Sequence, residues 1–264
     1  MNILQQIIEH KREEVASRKR SVSLSDFQSM EHYQRKTLSL RDSITTTKPF
    51  AIIAEIKRTS PSAGVIRSTI SPEQIAESYE ANGAAGISVL TDEKYFSGSL
   101  NDLLAVRNAV HLPLLRKDFI IDEHQIYEAK AHGADAVLLI ASVLEKQHLY
   151  DLYSAATELS IECLVELYEE KEIDKLDFDL MKLVGINNRD LKTFTIDLNR
   201  TIEMARYISK DVTLVSESGI HKSEDLQRLR DAEIRAALIG EHFMKSEQPG
   251  IALKQLLESL SNAL

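Results

Sequence analysis

Residues 50–64, "FAIIAEIKRTSPSAG", run from an aliphatic stretch straight into a carboxylate, Glu55, and an ammonium, Lys57. Side chains of an extended chain repeat every second residue, so Glu55 and Lys57 share one face. A charged pair at the end of a buried strand costs desolvation free energy unless a site uses it. The plainer alternative is a strand-end salt bridge before a turn. The same placement recurs, with Lys117 and Asp118 after "LPLLR", Glu166 after "ECLV", Asn187 and Arg189 at the end of "KLVGIN", and Glu217 and Ser218 after "VTLVS". Thr91 and Asp92 follow "GISVL", Ser142 follows "AVLLIA", and Gly240 ends "AALIG". One such charge says little, whereas cations and carboxylates converging at several strand ends suit proton transfer on an anion. Lys57, Lys117 and Arg189 supply positive charge; Glu55, Glu166 and Glu217 supply acid-base groups and hold the lysines. Opposed charges in a confined site shift one another's pKa values.

A second signal comes from "SESGI" and "LIGEHFM", which put Ser218-Gly219 and Gly240-Glu241 at consecutive run ends. Glycine lets backbone N–H groups approach phosphate oxygens, and in an eight-unit barrel the phosphate site follows strands seven and eight. Ser60 reaches the same place from strand one, the neighbour of strand eight. The competing view is that both glycines only make tight turns. Other residues carry plainer readings. The eight histidines lack HExxH or paired-ligand spacing, so no metal is inferred. Asp190 reads as an orienting partner or a turn, and "YEEKEIDKLDFD" as a solvated helix and loop. Arg116, out of phase with Lys117, should point away from the lumen toward the helices. The single cysteine, Cys163, lies in an apolar run and reads as a buried, inert thiol suited to a reducing cytosol.

These groups must be positioned by the aliphatic runs that precede them. From residue 50 onward eight such runs alternate with helix-like segments. One of these, "SPEQIAESYEANGA", opens on Ser71 as N-cap with Pro72 behind it and closes at Asn82-Gly83. Another, "DEHQIYEAKAHGA", closes at His132-Gly133. Apolar runs without strict alternation fit strands buried on both faces, hence a parallel sheet covered by helices. Eight strand-helix units in about 215 residues predict an α/β fold, the (β/α)8 TIM barrel. A doubly wound sheet would want a Gly-rich first turn, and GxGxxG is absent. Residues 1–48 are surplus and read as an N-terminal helical extension, about two helices packed on one mouth; residues 49–264 form the barrel, a single domain overall.

At 43% hydrophobic and 28% charged, the 264-residue composition is that of an ordinary soluble chain and excludes collagen-like or disulfide-scaffold classes. The net charge of −9 gives a nucleic-acid role no support. The sequence lacks a run of roughly 18 apolar residues, so no membrane span is expected. The N-terminus lacks the compact apolar core of a signal peptide. A cytoplasmic location follows.

"IAEIKRTSPSAG", "LLRKDFI", "LVELY", "GINNRDLKTF" and "VSESGI", in that order and spacing, resemble the motifs of the indole-3-glycerol-phosphate synthase family. The resemblance covers the barrel from about residue 50 onward and extends to the helical segment before it. It implies ring closure of 1-(2-carboxyphenylamino)-1-deoxyribulose 5-phosphate to indole-3-glycerol phosphate, with loss of carbon dioxide and water, in tryptophan biosynthesis. It implies no cofactor or metal, a phosphorylated small-molecule substrate, and no nucleic-acid, membrane or obligate protein partner. Carried over residue by residue, Lys117 is the general acid at the carbonyl oxygen and Glu166 assists loss of the hydroxyl. Lys57 binds the carboxylate, and which lysine serves which step stays open. Glu55 and Glu217 position these groups, while Asn187 and Arg189 orient substrate and lysine. Phe119 and Ser218 contact substrate. Ser60, Gly219, Gly240 and Glu241 lie at the phosphate, with "TSPSAG" as a loop over the substrate. Family members often carry a small hydroxyl residue just after the strand-eight glycine, where this chain has Glu241-His242. Two other classes remain on the residues alone: a Schiff-base aldolase using Lys57 or Lys117, and a non-catalytic barrel that binds a sugar phosphate.

Overall fold

The aliphatic runs form eight parallel strands in a computed structural model that describes residues 3–69, 71–190 and 193–262. The strands are β1 (Ala51–Ile56), β2 (Gly86–Leu90), β3 (Leu114–Lys117), β4 (Ala136–Ile140), β5 (Glu162–Leu167), β6 (Leu183–Asn187), β7 (Thr213–Glu217) and β8 (Ala236–Ile239). Each pairs with its sequence neighbour, and β1 pairs with both β2 and β8, which closes the barrel. The expected (β/α)8 TIM barrel is the observed fold. Ser71 caps the helix Pro72–Ala81 through the amide of Gln74, and that helix ends at Asn82, as its sequence predicts. Among the described residues, no helix is long and apolar enough to cross a membrane.

Strand alternation sorts the core into two layers. Ala51, Ile53, Leu115, Ala136, Leu138, Leu164, Leu183, Val215, Ala236 and Leu238 pack inside the barrel. Their neighbours Ile52, Ala54, Leu114, Val137, Leu139, Val165, Val184 and Ile239 pack outward against the helices. Continuing the inner phase toward the C-terminal strand ends reaches Glu55, Lys117, Glu166, Asn187 and Glu217. Pleat geometry therefore delivers the charged residues to one mouth once the apolar layers are buried.

The extension contains three described helices where two were expected, and they span both mouths. Helix α1 (Ile3–Ser21) lies over the C-terminal mouth, where Ile3, Leu4 and Ile7 line the cavity. Helix α2 (Leu24–Ser29) runs along the flank, with Phe27 edge-on to His124 at 4.9 Å between ring centres. Helix α3 (Leu40–Thr46) closes the opposite end. Leu40 and Ile44 join the inner layer, Ser43 Oγ donates to the Ala85 carbonyl, and Ser39 Oγ donates to Glu162 at 2.6 Å.

Candidate functional site

Two lysines and three glutamates meet at the C-terminal mouth. Lys117 Nζ lies 2.8 Å from Glu166 Oε2 and 2.6 Å from Glu217 Oε2. Lys57 Nζ lies 2.7 Å from Glu55 Oε1, so the first-strand pair faces inward as its spacing predicts. Asn187 Nδ2 donates to Glu166 Oε1 at 3.4 Å, while its Oδ1 accepts the Arg189 amide at 3.0 Å. Gly185 sits opposite Glu166 in the sheet, and a Cβ there would come within 2.1 Å of Glu217 Oε1. A mid-strand glycine marks such a close approach, and "KLVGINN" held that signal without its being read.

Burial alone would lower the Lys117 pKa, yet Glu166, Glu217 and Glu55 outweigh it and hold the ammonium well above the ordinary lysine range. The glutamates hold this lysine, as the charges at the strand ends predict. Burial pushes the Glu217 carboxyl up to about 8, with Glu166 adding to the rise and Lys117 opposing it. Burial would also raise Glu166, but Lys117 and Asn187 overcome it and hold that carboxyl below its usual range. Two carboxyl groups with opposite shifts around one ammonium form a proton-handling set.

At the β7 and β8 ends, Ser218 and Gly219 adopt successive left-handed conformations, φ 69° and 79°. Gly240 backs onto Glu55, where a Cβ would come within 2.5 Å of the carboxylate. Ser60 is buried and accepts the Ala63 amide at 3.1 Å, within a hairpin of Thr59–Ser60 against Gly64–Val65. That hairpin is the "TSPSAG" loop, and it carries Ser60, Pro61 and Ser62 to the cavity wall. Glu241 turns to Arg189 at 3.1 Å and Lys245 at 2.6 Å. These cations overcome burial and hold its carboxyl below the usual range. On the same rim His221 and His242 stack edge to face at 5.9 Å, and burial pushes His242 down.

The cavity has a volume of about 170 Å³ and brings together Glu55, Lys57, Ser60, Lys117, Phe119, Glu166, Asn187, Arg189, Glu217, Ser218, Gly219, Gly240 and Glu241. Its apolar side comes from Ile3, Leu4, Ile7, Phe96, Phe119, Leu138 and Ile140. Helix α1 covers a mouth as the extension was expected to; which of its side chains reach the cavity was not legible, because nothing local in a helix indicates that. Ser142 does not line the cavity.

Thr91 and Asp92, grouped with the mouth residues from sequence, belong to a separate cluster behind it, and Asp118 joins that cluster while also lining the cavity. Arg116 points outward as predicted and is 2% exposed. It lies 3.0 Å from Asp118, 2.8 Å from Glu128 and 3.1 Å from the Thr91 hydroxyl. The segment "YEEKEIDKLDFD" contains the 3-10 helix Glu170–Lys175, in which Glu172 is buried rather than solvated.

A family model described as indole-3-glycerol phosphate synthase matches residues 4–256. The indole-3-glycerol phosphate synthase of Salinibacter ruber is 46% identical over 258 residues, 97% of this chain and 95% of that protein. That of Bacteroides thetaiotaomicron is 43% identical over 259 residues, 98% and 99% of the two chains. Tryptophan synthase subunit alpha from Legionella pneumophila superposes with a TM-score of 0.63 at 11% identity, over 84% of this chain and 98% of that one. That last likeness concerns the fold alone.

Proposed function

The chain belongs to the indole-3-glycerol phosphate synthase family, and from that premise we propose how its mouth closes the indole ring. The observation that carries the mechanism is Lys117 held between Glu166 and Glu217 at the cavity wall. The ring carbon bearing the substrate carboxylate attacks the ketose carbonyl carbon, and the carbonyl oxygen takes a proton from the Lys117 ammonium. Because carboxylates stabilise that ammonium, it gives up its proton only when the substrate oxygen replaces one of them. Lys57 holds the substrate carboxylate until the carbon–carboxylate bond breaks and carbon dioxide leaves. The new hydroxyl then departs as water, with Glu166 carrying the proton that must move. Glu55 and Glu217 keep the two lysines in place, and Asn187 orients Glu166.

The phosphate sits at the β7 and β8 ends, bound by backbone amides around Gly219 and Gly240 and by Ser60. With the Glu241 carboxylate engaged by Arg189 and Lys245, position 241 contributes its backbone only. The apolar wall of Phe96, Phe119 and the α1 residues receives the aromatic ring, and Ser218 meets the sugar hydroxyls. Residues 1–48 and 49–264 act as one domain, with the extension as roof and plug. The enzyme works in the cytoplasm and needs no nucleic-acid, membrane or obligate protein partner. The test is direct: the purified protein and the carboxyphenylamino-deoxyribulose phosphate should yield fluorescent indole-3-glycerol phosphate. Absence of product, or a borohydride-trapped lysine adduct on turnover, would replace this mechanism by another.

A further inference from the structure

Lys11 of helix α1 is fully buried, at 0% exposure, although it belongs to a helix laid over the barrel mouth. Its ammonium lies 3.0 Å from Asp92, 3.0 Å from Asp118 and 2.9 Å from Glu14. Asp118 follows Lys117 in the chain and is tied on every side. Its Oδ1 accepts the Phe119 amide at 2.8 Å, and its Oδ2 accepts the Thr91 hydroxyl at 2.6 Å and Arg116 Nη2 at 3.0 Å. Asp92 caps the short helix Glu93–Phe96 through the Tyr95 amide at 2.8 Å, and that helix carries Phe96 to the cavity. One ammonium thus binds the roof helix to the turns that deliver Lys117, Phe119 and Phe96.

We propose that Lys11 is a positioning residue of the reaction, which sets the Lys117–Phe119 turn through Asp118 as helix α1 seats. The inference rests on the ring-closure mechanism above. Any buried cation needs a carboxylate partner, and here that partner is the residue next to the proposed general acid. The turn gains its geometry only when the roof is in place, so an open mouth carries a misplaced acid. A buried side chain held by charge from both sides of an interface permits little drift.

Lys11→Met keeps the stem and removes the charge. With the variant folded, kcat should fall roughly tenfold to hundredfold, the scale of a misplacement of about 1 Å, while KM changes far less. Lys11→Met combined with Asp92→Asn removes one cation and one carboxylate and leaves a good N-cap. This pair should recover the melting temperature without recovering kcat, and it serves as the test if the single variant does not fold. Hydrogen exchange over residues 114–121 should be faster than in the unmodified protein in both variants. Wild-type kcat in folded Lys11→Met, kcat recovering in step with stability in the pair, or unchanged exchange over 114–121 would each overturn the proposal. If the unmodified protein forms no indole product, the mechanism fails, while the exchange measurement still judges the coupling of Lys11 to the turn.

Discussion

Two charge clusters flank strand β3, one residue apart, and use the same side-chain types to opposite ends. Arg116 faces outward into a buried set with Asp118, Glu128 and Thr91, to which Lys11 and Arg18 add their ammonium and guanidinium groups. Lys117 faces inward, between Glu166 and Glu217, on the wall of an open cavity. The outer set buries Lys11, Asp92, Arg116, Asp118 and Glu128, with Glu14 and Arg18 at its partly exposed edge. The inner set has three glutamates for two lysines and lines the cavity. A closed cluster stabilises an arrangement, while one that borders a cavity can exchange a proton.

Replacing the two adjacent cations by the same residue separates these roles most sharply. Lys117→Met should lower kcat by about 10²- to 10⁴-fold, the range of general acid catalysis. Its melting temperature should move little, because Glu166 and Glu217 border the cavity and can share a proton. Substantial activity in that variant would take the acid role from Lys117. Arg116→Met should instead lose about 3–5 kcal/mol in urea unfolding, since it strands buried carboxylates. A loss under ~1 kcal/mol would show that the outer cluster is not structural.

Glu217→Gln tests the surplus acid. The Glu217 carboxyl is raised from 4.5 to about 8, so between those values the fold retains a proton that the unfolded chain has released. The unmodified protein should therefore lose stability relative to the variant as pH climbs from 4.5 through about 8. The change should be roughly 1–3 kcal/mol, below the full 1.36 kcal/mol per unit because Lys117 and Glu166 titrate with it. A stability difference that is flat with pH would mean that Glu217 is not raised. The smallest effect is expected at the rim of the roof, where Lys19 meets Asp122 at 2.9 Å with both partners partly exposed. Lys19→Ala should cost under ~1 kcal/mol and leave kcat and KM unchanged. A kinetic defect there would show that α1 is held by its edges rather than by Lys11.

Much of the site was legible because it follows from a local rule. Glu55 with Lys57, Lys117, Glu166, Asn187 and Glu217 each continue the inward phase of an apolar run, and a strand's phase is set by its own residues. Arg116 was placed correctly for the same reason, one step out of phase. Thr91 and Asp92 were misjudged because a residue just beyond a strand end no longer obeys the pleat, and its direction depends on what packs there. That glutamates hold the lysines was legible from the strand ends; which of them touch Lys117 was not, because Glu166 and Glu217 stand on β5 and β7 and only closure of the barrel brings those strands to it.

What the sequence determined by itself was the order of eight strand-helix units, the side of the sheet each charged residue faces, and the end of the barrel at which they gather. The tertiary structure alone decided that Glu166 and Glu217 are the glutamates that pair with Lys117, that Leu40 and Ile44 plug the far end, and that Lys11 is buried against Asp92 and Asp118. Periodicity is a property of a few consecutive residues and survives in any context. The partner of a charge depends on which distant segment excludes water from it, and that is settled only when the chain has folded around itself.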